Sequence, residues 1–155
     1  AIGNLAGNNL QLEAATAVGN QAGRTGQGVN AVAVGNLAGN SNQSATGSGG
    51  AVAIGNGAGQ IDQSSAGVAI GQNAGNSRQG RNSIAIGHNA ATTTQRDNQI
   101  NINASGVATQ GVAPAACYIT ELRGLPLGLG PGVVYYNSLT SVIGSRDNEL
   151  VYSTN

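Results

Sequence analysis

Nine residues, AVAIGNGAG at 51–59, return along the first two thirds of this chain at an almost fixed interval. Residues 31–39 read AVAVGNLAG, 15–23 ATAVGNQAG, 67–75 GVAIGQNAG and 83–91 SIAIGHNAA, and the sequence opens inside a further copy, AIGNLAG at 1–7. The glycine after the Val/Ile pair falls at Gly3, Gly19, Gly35, Gly55, Gly71 and Gly87, giving spacings of 16, 16, 20, 16 and 16. A degenerate seventh copy, QININ at 99–103, keeps the period with Asn103 in the glycine position. A unit this short cannot bury an apolar face alone and folds only by stacking on its neighbours, so the period predicts a solenoid.

Within one unit, Val52 and Ile54 alternate with Ala51 and Ala53, the period of two expected of a strand. One face carries Val/Ile and the other only alanine, as for a strand covered on both sides. Gly and then Asn-x-Ala-Gly follow, residues that accept the left-handed conformations of a tight corner. Sixteen residues accommodate two short strands and two turns, one coil of a narrow β-roll, with coils about 4.8 Å apart. The expectation is that Val18, Val34, Val52, Ile54, Val68, Ile70, Ile84 and Ile86 form a continuous column inside the roll. The alanines (Ala17, Ala33, Ala53, Ala69, Ala85) are expected along its outside.

A second column lies eight residues after each glycine: Gln11, Gln27, Gln43, Gln63, Gln79 and Gln95. Such a column predicts an axial ladder of side-chain amides bonded from coil to coil. It also places the four extra residues of the third spacing in a longer loop between Gln43 and Ala51. A shorter polar column runs through Asn4, Asn20, Asn36 and Asn56 and continues as Gln72 and His88.

The chain has no Phe, Trp or Met, all four tyrosines follow residue 117, and there are 26 glycines. A thin coil of Ala and Val with that much glycine is expected to need association to offset its conformational entropy. Six arginines, no lysine and six acidic residues leave a net charge of zero, which argues against non-specific binding to nucleic acid or anionic membrane. No apolar run is long enough to span a bilayer. Ala1 stands mid-repeat, so the natural amino terminus is expected upstream, and the lone Cys117 forms no intrachain disulfide.

These repeats, NSIAIGHNA and AVAIGNGAG above all, resemble the head repeats of trimeric autotransporter adhesins. Closely similar repeats occur in fibre proteins of phages and large viruses. The resemblance covers residues 1–103 and implies a left-handed parallel β-roll, three chains side by side around one axis. The 16-residue period and the glutamine column lean towards the fibre branch. Beyond it, 104–117 is a small-residue connector and 118–155 a small β element with strand candidates at 133–137 and 149–153. The succession YITELRG, VVYYN, ELVYSTN in that element resembles the segment of tail-fibre proteins that precedes a self-cleaving intramolecular chaperone. That resemblance implies a trimer-registration or pre-chaperone role, with Asn155 near a processing junction.

No catalytic, cofactor or metal residue is singled out. His88, the only histidine, occupies a polar column and has no partner at zinc spacing. The carboxylates Glu13, Asp62, Asp97, Glu121, Asp147 and Glu149 fall at scattered phases, unlike the facing pair that glycoside hydrolysis needs. Gly55-Asn56-Gly57-Ala58-Gly59 mimics a dinucleotide loop but no helix follows it. Arg78, Arg81 and Arg96 suggest a solvated outward stripe. An ice-binding face would need regular Thr-x-Thr columns, and only residues 91–94 (ATTT) approach one.

The expectation is therefore an all-β, left-handed parallel β-roll of 16-residue coils. The chain would be a homotrimeric, non-enzymatic fibre segment of a virion or cell-surface appendage, outside the cell, supporting attachment to a host surface. It would need no cofactor, bind no nucleic acid and insert in no membrane, while a host receptor or glycan is an open partner. The alternatives are an adhesin head that itself binds matrix or glycan, and a tailspike-type glycan depolymerase.

Overall fold

A computed structural model of the chain describes residues 1–44, 49–103, 105–108 and 116–120, and the backbone of 134–137 and 142–145. It divides into two units, Ala1–Thr120 and Glu121–Asn155. The first is a parallel β-solenoid. Its main sheet has seven strands in the order β2 (Thr16–Val18), β4 (Val32–Val34), β5 (Val52–Ile54), β6 (Val68–Ile70), β7 (Ile84–Ile86), β8 (Ile100–Ile102) and β9 (Cys117–Ile119). A second, shorter parallel pair joins β1 (Asn9–Gln11) to β3 (Thr25–Gln27). Single bridges Thr25–Ser41, Ser41–Ile61 and Ile61–Ser77 continue that side.

The register follows the repeat: Ala33 pairs with Ala53, Ala53 with Ala69, and Ala69 with Ala85. At the last strands the column becomes Asn101 and then Tyr118, so β9 at the end of the connector joins the roll's sheet. The second unit contains an antiparallel hairpin of β10 (Val134–Asn137) and β11 (Val142–Ser145). It matches the first candidate strand; the second, at 149–153, lies outside the described residues.

The expected ladder forms from Gln27 to Gln79, while Gln11 bonds only Ala15 O and Gln95 only backbone carbonyls. Gln27, Gln43, Gln63 and Gln79 are buried, and Nε2 of each of the first three donates to Oε1 of the next at 3.2, 3.1 and 2.9 Å. Each Nε2 also crosses the interior to a strand carbonyl: Gln43 to Val32 O at 2.7 Å and Gln63 to Val52 O at 2.8 Å. The amide thus ties the two sides of one coil together as well as tying coil to coil.

That crossing decides which strand face points inward, and it reverses the expectation. Ala17, Ala33, Ala53, Ala69 and Ala85 are fully buried, with Ala22, Ala38, Ala58, Ala74 and Ala90 opposite them. The Val/Ile column is outside: Val52 and Val68 are half-buried, and Ile54 and Ile70 remain 39% and 37% exposed. The reason is width. A glutamine lying across a narrow coil leaves room for only a methyl on the facing strand, and β-branched side chains are forced outward.

Glycine is required at two phases. A methyl built on Gly55 would stand 2.7 Å from the carbonyl oxygen of Gly71, and one on Gly59 would stand 2.5 Å from Oε1 of Gln63. The first glycine lets the next coil approach; the second makes room for the ladder. Corners also carry non-glycine residues at positive φ, including Leu37 at 58° and Asn73 at 55°. Their amides donate to Asn20 O and Asn56 O, both at 2.9 Å, so intercoil bonding holds them in a conformation an L-residue otherwise avoids.

Asn103 ends the glycine column. Its Nδ2 donates to His88 O at 2.9 Å and Val107 O at 2.6 Å. Its Oδ1 accepts from Ser105 Oγ and Thr120 Oγ1, each at 2.7 Å. The next strand still stacks on this one, with Thr120 N donating to Ile102 O at 2.9 Å, and the Asn103 side chain ties the connector to it.

Candidate functional site

The outward face of the seven-stranded sheet is the most distinctive surface of the first unit. One column runs Thr16, Val32, Val52, Val68, Ile84, Ile100, Cys117; the next runs Val18, Val34, Ile54, Ile70, Ile86, Ile102, Ile119. Every member is half-buried or exposed, because neighbouring β-branched side chains cover one another along the column while their outer sides stay open. Ile2, bridged to Val18, extends the second column and is 71% exposed. Strand spacing of about 4.8 Å gives an apolar strip roughly 30 Å long. A strip of that continuity is unusual for a surface that meets only water.

A polar column borders the strip. Nδ2 of Asn36 donates to Oδ1 of Asn20, and Nδ2 of Asn56 to Oδ1 of Asn36, each at 3.0 Å. Gln72 and His88 occupy the same column and are exposed. His88 contributes its carbonyl oxygen to Asn103, an architectural contact.

The charged residues are dispersed. Asp62 accepts from Nδ2 of Asn42 at 2.9 Å. Arg81 clamps Asp97 in the next coil: its backbone N donates to Oδ1 at 2.8 Å, and Nε and Nη2 donate to Oδ2 at 3.2 and 3.1 Å. The backbone bond first, and then the guanidinium, hold the Asp97 carboxyl below the usual carboxylate range. Arg78 and Arg96 are exposed, and Cys117 is a free, exposed thiol. Among the described residues, no group of three His, Cys, Asp or Glu side chains could hold a metal ion. No helix among them is long and apolar enough to cross a membrane. Residues 45–48 of the long loop, and the carboxylates Glu121, Asp147 and Glu149, lie outside the described residues.

The sequence expectation includes Val18, Val34, Val52, Ile54, Val68, Ile70, Ile84 and Ile86 of the strip but places them inside the roll, and it omits Val32, Ile100, Ile102 and Ile119. The signal that could have corrected it was the glutamine column, since six side chains of that length cannot share a narrow interior with a column of valine and isoleucine. Comparison with protein-family models, curated proteins and solved structures finds no match to this chain.

Proposed function

We propose that this chain is a segment of a structural fibre on a virion or cell surface, outside the cell, that supports attachment to a host surface. In this reading the roll is left-handed, of the adhesin-head-repeat type, and three copies pack side by side. The observation that carries it is the uncovered Val/Ile strip. The alanine face, expected along the outside of the roll, is spent inside the coil, so Val/Ile is the face left for contact. Three strips meeting about an axis would exclude water from that apolar surface, and closure at three limits further lateral growth. The role is structural, not catalytic: Asp97 is committed to Arg81, and Asp62 is bonded to Asn42.

Light scattering on the intact chain tests this. A mass near three times 15.1 kDa at micromolar concentration is expected. Ile70→Asp should lower the mass while the strand signal in circular dichroism persists, because the aspartate faces out of the roll. Cys117 lies on the same face, so mild oxidation should link copies in the parent and not in the Ile70→Asp chain. A folded 15.1 kDa monomer of the parent overturns the proposal, and a stable dimer overturns its threefold form.

A further inference from the structure

Successive coils are joined by a recurring set of bonds, and one internal junction lacks several of them. On the side opposite the main sheet, Thr25 N donates to Asn40 O, Ser41 N to Gln60 O and Ile61 N to Asn76 O, all at 2.9 Å. In return Asn42 N donates to Thr25 O, Asp62 N to Ser41 O and Arg78 N to Ile61 O, at 2.9, 3.0 and 2.9 Å. Between the coils of Gly71 and Gly87 the corresponding pairs are Ser77 N with Thr92 O and Thr94 N with Ser77 O. Neither forms, and the bridge passes instead through Gln79 and Gln95, with Gln95 N donating to Arg78 O at 3.1 Å as partial replacement. The ladder stops at the same place. Nε2 of Gln79 stays on Val68 O and Ser83 O, and Oε1 of the buried Gln95 has no partner.

Two substitutions in the repeat account for the fault. Ala91 stands where Gly23, Gly39, Gly59 and Gly75 stand in other coils, and a methyl on Gly75 would lie 2.6 Å from Oε1 of Gln79. The Ala91 methyl therefore occupies the space into which the ladder amide must swing. Thr94 stands where Leu10, Gly26, Asn42, Asp62 and Arg78 adopt φ between 53° and 68°. A β-branched residue resists that conformation, and Thr94 does not adopt it. The outside of this junction carries the Arg81–Asp97 pair, the one ion pair among the described residues, together with Asn82 Nδ2 on Asn98 Oδ1 at 3.1 Å.

We infer that the junction between the coils of Gly71 and Gly87 is a built-in opening point, at which residues 84–103 separate from the preceding coils as a unit, and that Arg81–Asp97 is its clasp. In a solenoid each coil is held by its neighbours alone, so one weakened interface opens without unfolding the rest.

Native-state hydrogen exchange on the intact chain reads this directly. The amides that cross the junction, Gly87, Asn89 and Asn98, donate to Ile70 O, Gln72 O and Arg81 O. They should exchange about tenfold faster than the equivalent Gly55, Gly57, Gly71 and Asn73, from the three bonds missing here less the one that Gln95 N makes to Arg78 O. In the double variant Ala91→Gly with Thr94→Asn the gap should fall to within about threefold, as ladder and corner re-form. Arg81→Gln, or 1 M salt on the parent protein, should speed the junction amides severalfold and leave Gly55 and Gly57 unchanged. Equal rates at all junctions in the parent overturn the inference. So does a gap that grows smoothly towards residue 103 and persists in the double variant, which is simple fraying of an end. Should the double variant fail to fold, the parent and Arg81→Gln measurements decide alone: acceleration absent or uniform along the chain overturns the clasp.

Discussion

Replacing Gln63 by methionine removes one rung of the ladder while nearly conserving volume. In the parent, Nε2 of Gln63 donates to Val52 O, Gly67 O and Gln79 Oε1 at 2.8, 3.1 and 2.9 Å, and Oε1 accepts from Gln43 at 3.1 Å. The losses are unequal. Gly67 O keeps the amide of Val52 at 2.9 Å, and Gln43 Nε2 keeps Val32 O and Ala51 O at 2.7 and 3.3 Å. Gln79 Oε1 loses its partner inside the roll, which costs about 1–3 kcal/mol, and the bonds to Val52 O and from Gln43 are each worth about 0.5–1.5 kcal/mol. The apolar thioether returns about 1 kcal/mol of transfer free energy. The expected net loss is about 1–5 kcal/mol, or a midpoint lowered by about 2–20 °C for a chain of this size. Thermal melts at fixed protein concentration measure it, with Gln11→Met as the control. Gln11 is half-buried and makes a single side-chain bond, to Ala15 O at 2.9 Å, so its variant should lose under about 1 kcal/mol. A Gln63→Met chain that melts with the parent, or no lower than Gln11→Met, refutes the claim that the buried ladder holds the coils.

Gly55→Ala should be more damaging, by about 3 kcal/mol or more, because it combines a φ of 125° with a methyl 2.7 Å from Gly71 O. Gly49→Ala, whose methyl would meet nothing nearer than 3.5 Å among the described residues, should melt close to the parent. The Asp97 carboxyl is held below its unfolded value of about 4, so its contribution is complete above that pH and is lost as pH falls through the lower, folded value. Asp97→Asn should therefore flatten the acid limb of a melting-temperature profile; an unchanged limb counts against the clamp.

Much of the architecture was legible in the residues, and the main error was informative. The 16-residue spacing gave coils and their register, so Ala33 over Ala53 over Ala69 follows from the alignment alone. The glutamine column gave the ladder, because an amide has donors and an acceptor to offer its copies above and below. The direction of the strand faces was not legible from alternation, which says only that Val and Ala lie on opposite sides. The hairpin strand at 142–145 was missed as well, since VIGS has neither the length nor the alternation that marks a strand.

The sequence by itself determined that this chain is a stack of short parallel coils, since no other arrangement satisfies six near-identical units in one register. Tertiary structure decided what the stack is made around. Once Gln43 and Gln63 reach across to Val32 O and Val52 O, the coil closes to a width that admits only alanine beside them. Val52, Ile54, Val68 and Ile70 are then left on the outside. That outcome depends on the gap between two sides of a coil, a distance set by hydrogen bonds between residues eleven apart in sequence, which hydrophobicity along one strand does not record.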